Sequence, residues 1–228
     1  MKNTAIVTGA SSGIGREISR VLVEMGYEVY GFGREFPEEE VYFHPIVCDL
    51  LNTPELERQI KEIRRRNDVS LLVNNAGVGY YGLHEELNVQ KIQKLVRTNL
   101  EVPMVLTNLL LRDLKRYSGT VINISSVTAQ LSNPHGCAYG ATKAGLSSFS
   151  RSLFDEVRKY GVRVVTIQPD MTKTDLYRNA DFAQGEEEGS YLLPEEIAEA
   201  VRNILQMREG AVVTEITLRP QLHRIRRK

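Results

Sequence analysis

The stretch "AIVTGASSGIGREI" (residues 5–18) joins a short apolar run to a helical pattern through three glycines. A strand-to-helix turn without side chains exposes backbone N–H groups, and the N-terminus of the following helix attracts a phosphate. The spacing here is G-x-x-x-G-x-G instead of the common G-x-G-x-x-G. A glycine turn that serves only close packing is the alternative. We favour anion binding, because the glycines lie directly between a strand and a helix.

The same order of strand and helix repeats along the whole chain, without a linker or an internal repeat. It predicts an α/β fold in one domain, residues 1–228, built on a parallel sheet that helices cover on both faces. Predicted strands are 4–8, 28–32, 71–73, 120–124, 162–167 and 211–218, with a weaker candidate at 45–47, and predicted helices are 14–25, 54–66, 86–115, 137–160 and 195–207.

Three segments lack a regular pattern. Residues 36–45 are short and broken by proline, which indicates a trimmed crossover. Residues 178–196 are polar and contain glycine, which predicts a mobile surface loop. Residues 219–228 form a basic C-terminal tail, whose end (224–228) we expect to be solvated.

Composition excludes several classes of function. With 29 basic and 29 acidic residues the formal charge is zero, so nothing indicates a nucleic-acid partner. We expect no membrane association, because the chain has neither a signal region nor an apolar run of spanning length. The only two cysteines, Cys48 and Cys137, are interpreted as reduced thiols, which predicts a cytoplasmic location.

The end of the second predicted strand bears on the choice of dinucleotide. An acidic residue there would hydrogen-bond the adenosine ribose and repel a 2′-phosphate. This chain has Gly33 followed by Arg34, which favours NADP(H) over NAD(H), and Arg16 offers a second positive charge. The alternatives are solvated arginines, or an ion pair between Arg34 and Glu35.

The stretch "CAYGATKAG" (residues 137–145) places Tyr139 and Lys143 one helical turn apart among small residues. By itself the pair is compatible with an ordinary amphipathic helix. Together with Gly9, Gly13 and Gly15, the stretch "NNAG" (74–77) and Ser126, it resembles the short-chain dehydrogenase/reductase family, with a match from about residue 3 to 218. The resemblance implies a single-domain Rossmann-like fold, a doubly wound parallel sheet of about seven strands with helices on both faces.

The family resemblance also implies the site residues. The catalytic set is Asn99, Ser126, Tyr139 and Lys143; Ser125 is a near alternative to Ser126, which lies thirteen positions before the tyrosine as in the family pattern. The implied cofactor-binding residues are Gly9, Ser11, Ser12, Gly13, Ile14, Gly15, Arg34, Asp49, Leu50, Asn75, Ala76, Gly77, Tyr139, Lys143, Pro169, Thr172 and Thr174.

The implied function is an oxidoreductase that transfers a hydride between NADP(H), with NAD(H) disfavoured, and a small or medium carbonyl or secondary alcohol. Tyr139 acts as the general acid or base. An ordinary tyrosine has a pKa of about 10, and an ammonium group about 4 Å away contributes roughly 4 kcal/mol towards ionising it. We therefore expect Lys143 to lower the pKa of Tyr139. The alternative is a non-enzymatic dinucleotide-binding sensor on the same fold, which needs no such proton relay.

The chain departs from the family pattern in two places. Pro169 is followed by Asp170 where the family usually has glycine, and the final strand leads into "RPQLHRIRRK" (219–228) instead of a glycine-rich end. Family members pair through the helices predicted at 86–115 and 137–160, which implies a homodimer or homotetramer. The altered end puts the tetramer in doubt.

Other residues carry weaker signals. The four histidines (His44, His84, His135 and His223) lack metal-ligand spacing, so we predict no metal site. His135 is a candidate for the rim of the substrate pocket. Candidates for its lining, or equally for core contacts, are Tyr80, Tyr81 and Leu83.

Overall fold

The computed structural model describes residues 3–36, 42–178, 180–222 and 224–227. Seven parallel strands form one sheet in the order β3-β2-β1-β4-β5-β6-β8, and two short strands form a separate antiparallel pair. The strands are β1 (Thr4–Thr8), β2 (Glu28–Gly33), β3 (His44–Val47), β4 (Val69–Asn74), β5 (Thr120–Ile124), β6 (Arg163–Pro169), β7 (Phe182–Gln184), β8 (Glu215–Leu218) and β9 (Ile225–Arg227). The predicted single-domain, doubly wound α/β fold is confirmed.

Within the described residues, six α-helices connect these strands: α1 (Gly13–Glu24), α2 (Thr53–Arg66), α3 (Val89–Val96), α4 (Val102–Arg116), α5 (Cys137–Val157) and α6 (Pro194–Leu205). The helix predicted over 86–115 begins only at Val89, and a π-helical segment, Arg97–Glu101, separates α3 from α4. A 3-10 turn, Arg158–Tyr160, continues α5 to the predicted end of that helix. The last strand of the sheet begins at Glu215, not at residue 211.

The two faces of the sheet carry separate apolar clusters. On one face Val21 of α1 and Ile197 of α6 pack against strand residues such as Ile122. On the other face Leu106 of α4 and Leu153 of α5 belong to a second buried cluster. Because both faces are covered, the central strands are almost continuously apolar, as parallel strands in such sheets are. This explains why these strands were recognisable in the sequence.

A series of hydrogen bonds between buried polar side chains crosses the centre of the sheet. Asn74 and Asn123 are paired in register on β4 and β5, and the Asn74 amide donates to Asn123 Oδ1 at 2.8 Å. Asn123 Nδ2 donates in turn to Ser150 Oγ on α5, also at 2.8 Å. Hydrogen bonds that satisfy buried groups fix one arrangement of the elements that carry them. These hydrogen bonds therefore fix the position of α5 relative to the sheet.

The segment predicted as a mobile loop, residues 178–196, contains a strand. β7 pairs antiparallel with β9, with Phe182 opposite Arg227 and Gln184 opposite Ile225. The predicted solvated tail is therefore exposed but paired. Much of the predicted trimmed crossover, residues 37–41, lies outside the described residues, as do Asn179, His223 and Lys228.

Candidate active site

A cleft of about 340 Å³ opens at the carboxyl ends of the strands. The strand order reverses between β1 and β4, and open α/β sheets bind ligands outside the strand ends at such a point. All predicted site residues line this cleft except Gly15 and Asn99: the lining includes Gly9, Ser11, Ser12, Gly13, Ile14, Arg34, Asp49, Leu50, Asn75, Ala76, Gly77, Ser126, Tyr139, Lys143, Pro169, Thr172 and Thr174.

The glycine turn after β1 is shaped by close backbone contacts. Gly9 and Gly13 have φ of 67° and 52°, in the left-handed region that glycine tolerates best. A Cβ on Gly9 would lie 2.9 Å from Ala76 Cα, and one on Gly15 would lie 2.2 Å from the carbonyl oxygen of Gly9. Gly15 therefore supports the turn from behind, while Gly9 and Gly13 line the cleft without side chains beside Ser11, Ser12 and Ile14.

Thr8, which the sequence analysis missed, joins this turn to the loop after β4. Its hydroxyl oxygen accepts hydrogen bonds from the backbone N–H groups of Asn75 and Ala76, both at 3.0 Å. The Asn75 amide donates back to the carbonyl oxygens of Thr8 and Gly9, at 3.0 and 3.2 Å. The two loops thus form one hydrogen-bonded unit.

Positive charge reaches the cleft from the end of β2. Arg34 is exposed and lines the cleft, and it forms no ion pair with Glu35 or any other described residue. A Cβ on the preceding Gly33 would lie 3.0 Å from the Phe36 ring and 3.1 Å from Ser11 Cβ, so this position has little room for an acidic side chain. An arginine beside a glycine turn at a helix N-terminus fits a phosphorylated dinucleotide.

Three polar side chains meet at the other end of the cleft. Tyr139 and Lys143 lie on α5, and both are buried although both line the cleft. Lys143 Nζ donates to the carbonyl oxygen of Ile124 at 2.8 Å and lies 5.8 Å from the centre of the Tyr139 ring. Ser126 follows β5 and hydrogen-bonds Tyr139.

Ser125 is held differently from Ser126. Its hydroxyl donates to the backbone oxygen of Lys143 at 3.0 Å and lies 2.9 Å from Ser147 Oγ. These contacts tie the end of β5 to α5. Ser126, which faces Tyr139, is therefore the better candidate for contact with a substrate.

Asn99 lies in the π-helical segment, behind the cleft wall. Its Oδ1 accepts from the N–H of Val78 at 2.9 Å. Its Nδ2 donates to the oxygen of Val78 at 3.0 Å and to Thr142 Oγ1 at 3.2 Å. Single π-helical turns occur often at functional sites. This one places an amide between the loop after β4 and the helix that carries Tyr139.

Comparison with known proteins identifies the family to which the chain belongs. The sequence pattern described as "short chain dehydrogenase" matches residues 3–184. The chain belongs to this family. It is 32% identical to the NADPH-dependent 3-dehydrocapnine reductase of Ornithobacterium rhinotracheale, over 77% of this chain and 68% of that protein. It is 31% identical to the 3-oxoacyl-(acyl-carrier-protein) reductase FabG of Rickettsia typhi, over 94% of this chain and 93% of the relative.

A solved structure resembles the whole chain. The alcohol dehydrogenase of the archaeon Thermococcus sibiricus, in complex with 5-hydroxy-NADP, superposes with a TM-score of 0.87 at 28% identity, covering 98% of both chains. The sequence prediction of membership in the short-chain dehydrogenase/reductase family is thereby confirmed.

The electrostatics of this family member correct one expectation. Burial raises the pKa of Tyr139 to about 12, although its hydrogen bond with Ser126 acts in the opposite direction. Burial also lowers the pKa of Lys143 to about 8. The expected net lowering of the tyrosine pKa is therefore wrong, because burial is the dominant influence on Tyr139 and the Lys143 amine donates to the Ile124 carbonyl.

An aromatic cluster packs against Tyr139, and of its other members only Tyr81 was a candidate from the sequence. The Tyr81 ring lies 5.6 Å from the Tyr139 ring, between centres, and it also contacts Tyr177 and Phe182. Burial raises the pKa of both Tyr81 and Tyr177, so they are neutral phenols. Phe182 belongs to residues 178–196, which lack a regular pattern, and Tyr177 directly precedes them, so no pattern marks either contact with the site.

Of the remaining weak candidates, only one lines the cleft. Tyr80 lines the cleft, whereas Leu83 and His135 are exposed and do not.

The described residues contain no group of three or more His, Cys, Asp or Glu side chains arranged to hold a metal ion. No helix in the described part of the chain has the length and apolar character needed to cross a membrane.

Proposed function

We propose that the protein is an NADP(H)-dependent oxidoreductase that interconverts a small or medium carbonyl compound and the corresponding secondary alcohol, with Tyr139 as the general acid or base. The observation that carries this proposal is the buried group of Ser126, Tyr139 and Lys143 at one end of a cleft whose other end is a glycine-rich turn. A sensor without turnover has no need of this group.

The residues present fit the proposed cofactor. The turn at Gly9 and Gly13 would hold the pyrophosphate, Asp49 and Leu50 would flank the adenine, and Arg34 would pair with the 2′-phosphate. The relative from Ornithobacterium is named as NADPH-dependent, which agrees with Arg34. When bound, NADP(H) supplies or accepts the hydride of the reaction. Lys143 would hold the nicotinamide ribose hydroxyls, with Thr172 and Thr174 at the same end.

Tyr139 is placed to move the proton. With a pKa of about 12 it is a neutral phenol at neutral pH, which suits donation of a proton to the carbonyl oxygen. Ser126 would donate a hydrogen bond to the same oxygen and stabilise the charge that develops on it. Alcohol oxidation requires Tyr139 to be deprotonated, which is costly in this environment, so we expect oxidation to be slow near neutral pH and to speed up as the pH rises.

Lys143 contributes charge, and its pKa makes this contribution depend on pH. Below its pKa of about 8 the amine is charged and stabilises the phenolate that forms as Tyr139 gives up its proton; above about 8 that charge is lost. We expect carbonyl reduction at saturating NADPH to fall as the pH rises through about 8. Lys143→Arg stays charged over this range, so it should be slower but lack this decline.

Asn99 is proposed as a positioning residue. Its amide nitrogen donates to the backbone oxygen of Val78 and to Thr142 Oγ1, so the side chain joins the loop after β4 to the helix that carries Tyr139. Asn99→Asp keeps the shape but loses those donors. We expect a lower kcat with little change in affinity for NADPH.

The proposed function is tested by incubating the protein with NADPH and a panel of aldehydes and ketones and following NADPH absorbance. We expect oxidation of NADPH with at least one carbonyl compound, and formation of the matching alcohol. NADPH that binds tightly but is oxidised with no member of a broad panel would favour the sensor instead.

We further propose that two copies pair through the outer sides of α4 and α5 in a reducing compartment such as the cytoplasm. Met104 on α4 is 37% exposed, and Val96 at the end of α3 is 42% exposed. Cys48 and Cys137 are free thiols. Light scattering at micromolar concentration should give at least a dimer, and a monomer would contradict this proposal.

A further inference from the structure

The end of the chain folds back over the segment between β6 and α6. We call residues 219–227, of which residue 223 is not described, the clasp. At its beginning Arg219 Nε lies 3.0 Å from Asp170 Oδ2, so the unusual carboxylate after Pro169 has a partner within the chain. Further along, the N–H of Leu222 donates to the oxygen of Gly189 at 2.8 Å.

The far end of the clasp forms a strand with the same segment. The N–H of Gly185 donates to the oxygen of Arg224 at 3.1 Å, and β9 continues the pairing along β7. Two ion pairs flank the strands, one between Arg224 and Glu187 and one between Arg226 and Glu186. All four of these side chains are largely exposed, so the pairs are weak.

The clasp acts on Phe182, the first residue of β7. The Phe182 ring lies 5.1 Å from the Tyr81 ring in an edge-to-face arrangement and 5.6 Å from the Tyr177 ring. Tyr81 in turn contacts Tyr139. One continuous aromatic cluster therefore connects the strand held by the clasp to the proposed proton donor.

This cluster occupies space beside the reacting end of the site. Although Tyr139 lines the cleft, its relative solvent exposure is only 4%, and the Tyr81 ring packs against it. A substrate whose carbonyl oxygen reaches Tyr139 has to fit its substituents against these rings. Removal of one ring would leave a cavity that admits a larger group.

β7 by itself is too short to form a stable strand. It is three residues long, and β9 is its only strand partner among the described residues. Two-stranded ribbons of this length are marginal in water. The position of Phe182 therefore depends on the clasp together with the ring contacts.

We propose that the clasp determines substrate size: it holds Phe182 against Tyr81 and Tyr177 and so restricts the site to small carbonyl compounds. This inference rests on the proposed function. It assigns to the C-terminal residues a specificity role at a distance from the reacting atoms, which Phe182 transmits through Tyr81 and Tyr177.

The first test needs no catalysis. The chain contains no tryptophan, so Phe182→Trp introduces a single fluorophore at the contact. The double variant Arg224→Glu/Arg226→Glu in this background places acidic side chains against Glu186 and Glu187, and should raise acrylamide quenching at least about twofold by local opening. Adding Glu186→Arg/Glu187→Arg should restore the original quenching. Arg58→Glu, which breaks exposed ion pairs on α2, is the control.

The second test measures selectivity with NADPH and two diketones, 2,3-butanedione and 1-phenyl-1,2-propanedione, which differ by a methyl and a phenyl group. Phe182→Ala and Arg224→Glu/Arg226→Glu should each raise the ratio of kcat/KM for the phenyl compound over the methyl compound at least about tenfold. The charge-swapped quadruple variant should return to the original ratio.

The possible results distinguish failure of the clasp proposal from failure of the proposed function. Unchanged quenching, or an unchanged ratio with normal turnover of the small diketone, overturns the role of the clasp and leaves the proposed function intact. Failure of the unmodified protein to oxidise NADPH with any carbonyl compound overturns the proposed function and the specificity role with it, even if quenching responds as expected.

Discussion

The two halves of the cleft are built in different ways. The cofactor half, formed by the loops after β1, β2 and β4, consists of backbone in close contact and buried hydrogen bonds such as those of Thr8 with Asn75 and Ala76. The proposed substrate half includes Asp170, Thr172 and Tyr177 of the segment between β6 and α6. That segment, with the clasp that pairs with it, has short strands, ring contacts and exposed ion pairs. We infer that the first half is rigid and tolerates little change, whereas the second is held by weak contacts and is where specificity is set.

The largest effect is expected in the cofactor half, from Gly9→Ala. The Cβ would lie 2.9 Å from Ala76 Cα in a residue with positive φ, so the two loops would have to separate. We expect affinity for NADPH to fall at least about a hundredfold, or about 2.7 kcal/mol.

Gly26→Ala is the matched control for this change. Gly26 also has positive φ, at 87°, but a Cβ there meets no atom within 4 Å. It should cost roughly 1–2 kcal/mol of stability and leave NADPH affinity unchanged. If both variants bound NADPH equally well, the close approach at Gly9 would not be what shapes the cofactor half. Titration by fluorescence measures both.

A smaller effect is expected at Arg34, on the edge of the cofactor half. Arg34→Leu should reduce the preference for NADPH over NADH at least about tenfold, since it removes a charge-assisted hydrogen bond to the 2′-phosphate. Gly33 is left unchanged because a side chain there would crowd Phe36 and Ser11. Arg20→Leu removes an arginine paired with Glu17 and Glu24 on α1 and should leave the preference as it is. An equal loss of preference in both variants would contradict a specific role of Arg34.

The smallest effect is expected on the stability of the substrate half. Arg224→Glu/Arg226→Glu breaks only exposed pairs, so the free energy of unfolding should change by less than about 1 kcal/mol. Asn123→Ala, which removes the closer acceptor of the buried Asn74 amide and leaves only Thr107 Oγ1 at 3.5 Å, should cost roughly 1–3 kcal/mol. Urea denaturation compares the two. A large loss from the clasp variant would mean that the substrate half is as firmly built as the rest of the fold.

The contrast between the halves also explains what the sequence predicted. Buried parallel strands are continuous apolar runs, and the glycine turn needs its residues at fixed positions, so both were recognisable. β7 and β9 were missed because three-residue strands carry no period and pair across 40 or more residues. The π-helical segment was missed because its local sequence does not distinguish it from an α-helix. What sets it apart are the contacts of Asn99 with Val78 and Thr142, which are distant in sequence.

The electrostatic error has a similar origin. Sequence spacing places Lys143 one turn from Tyr139, but it does not show where the amine points. In the structure the Ile124 carbonyl binds that amine, and burial raises the pKa of the tyrosine. The direction of a pKa shift depends on solvent access, which spacing along a helix does not determine.

The most direct test of the account is Tyr139→Phe, which keeps the ring in its aromatic cluster and removes only the hydroxyl. Turnover should be measured at saturating NADPH, together with a titration of NADPH binding. We predict turnover at least about a hundredfold lower, the low end for general acid catalysis, with NADPH affinity nearly unchanged. A variant that binds NADPH normally and keeps most of its turnover would contradict the assignment of Tyr139 as the proton donor.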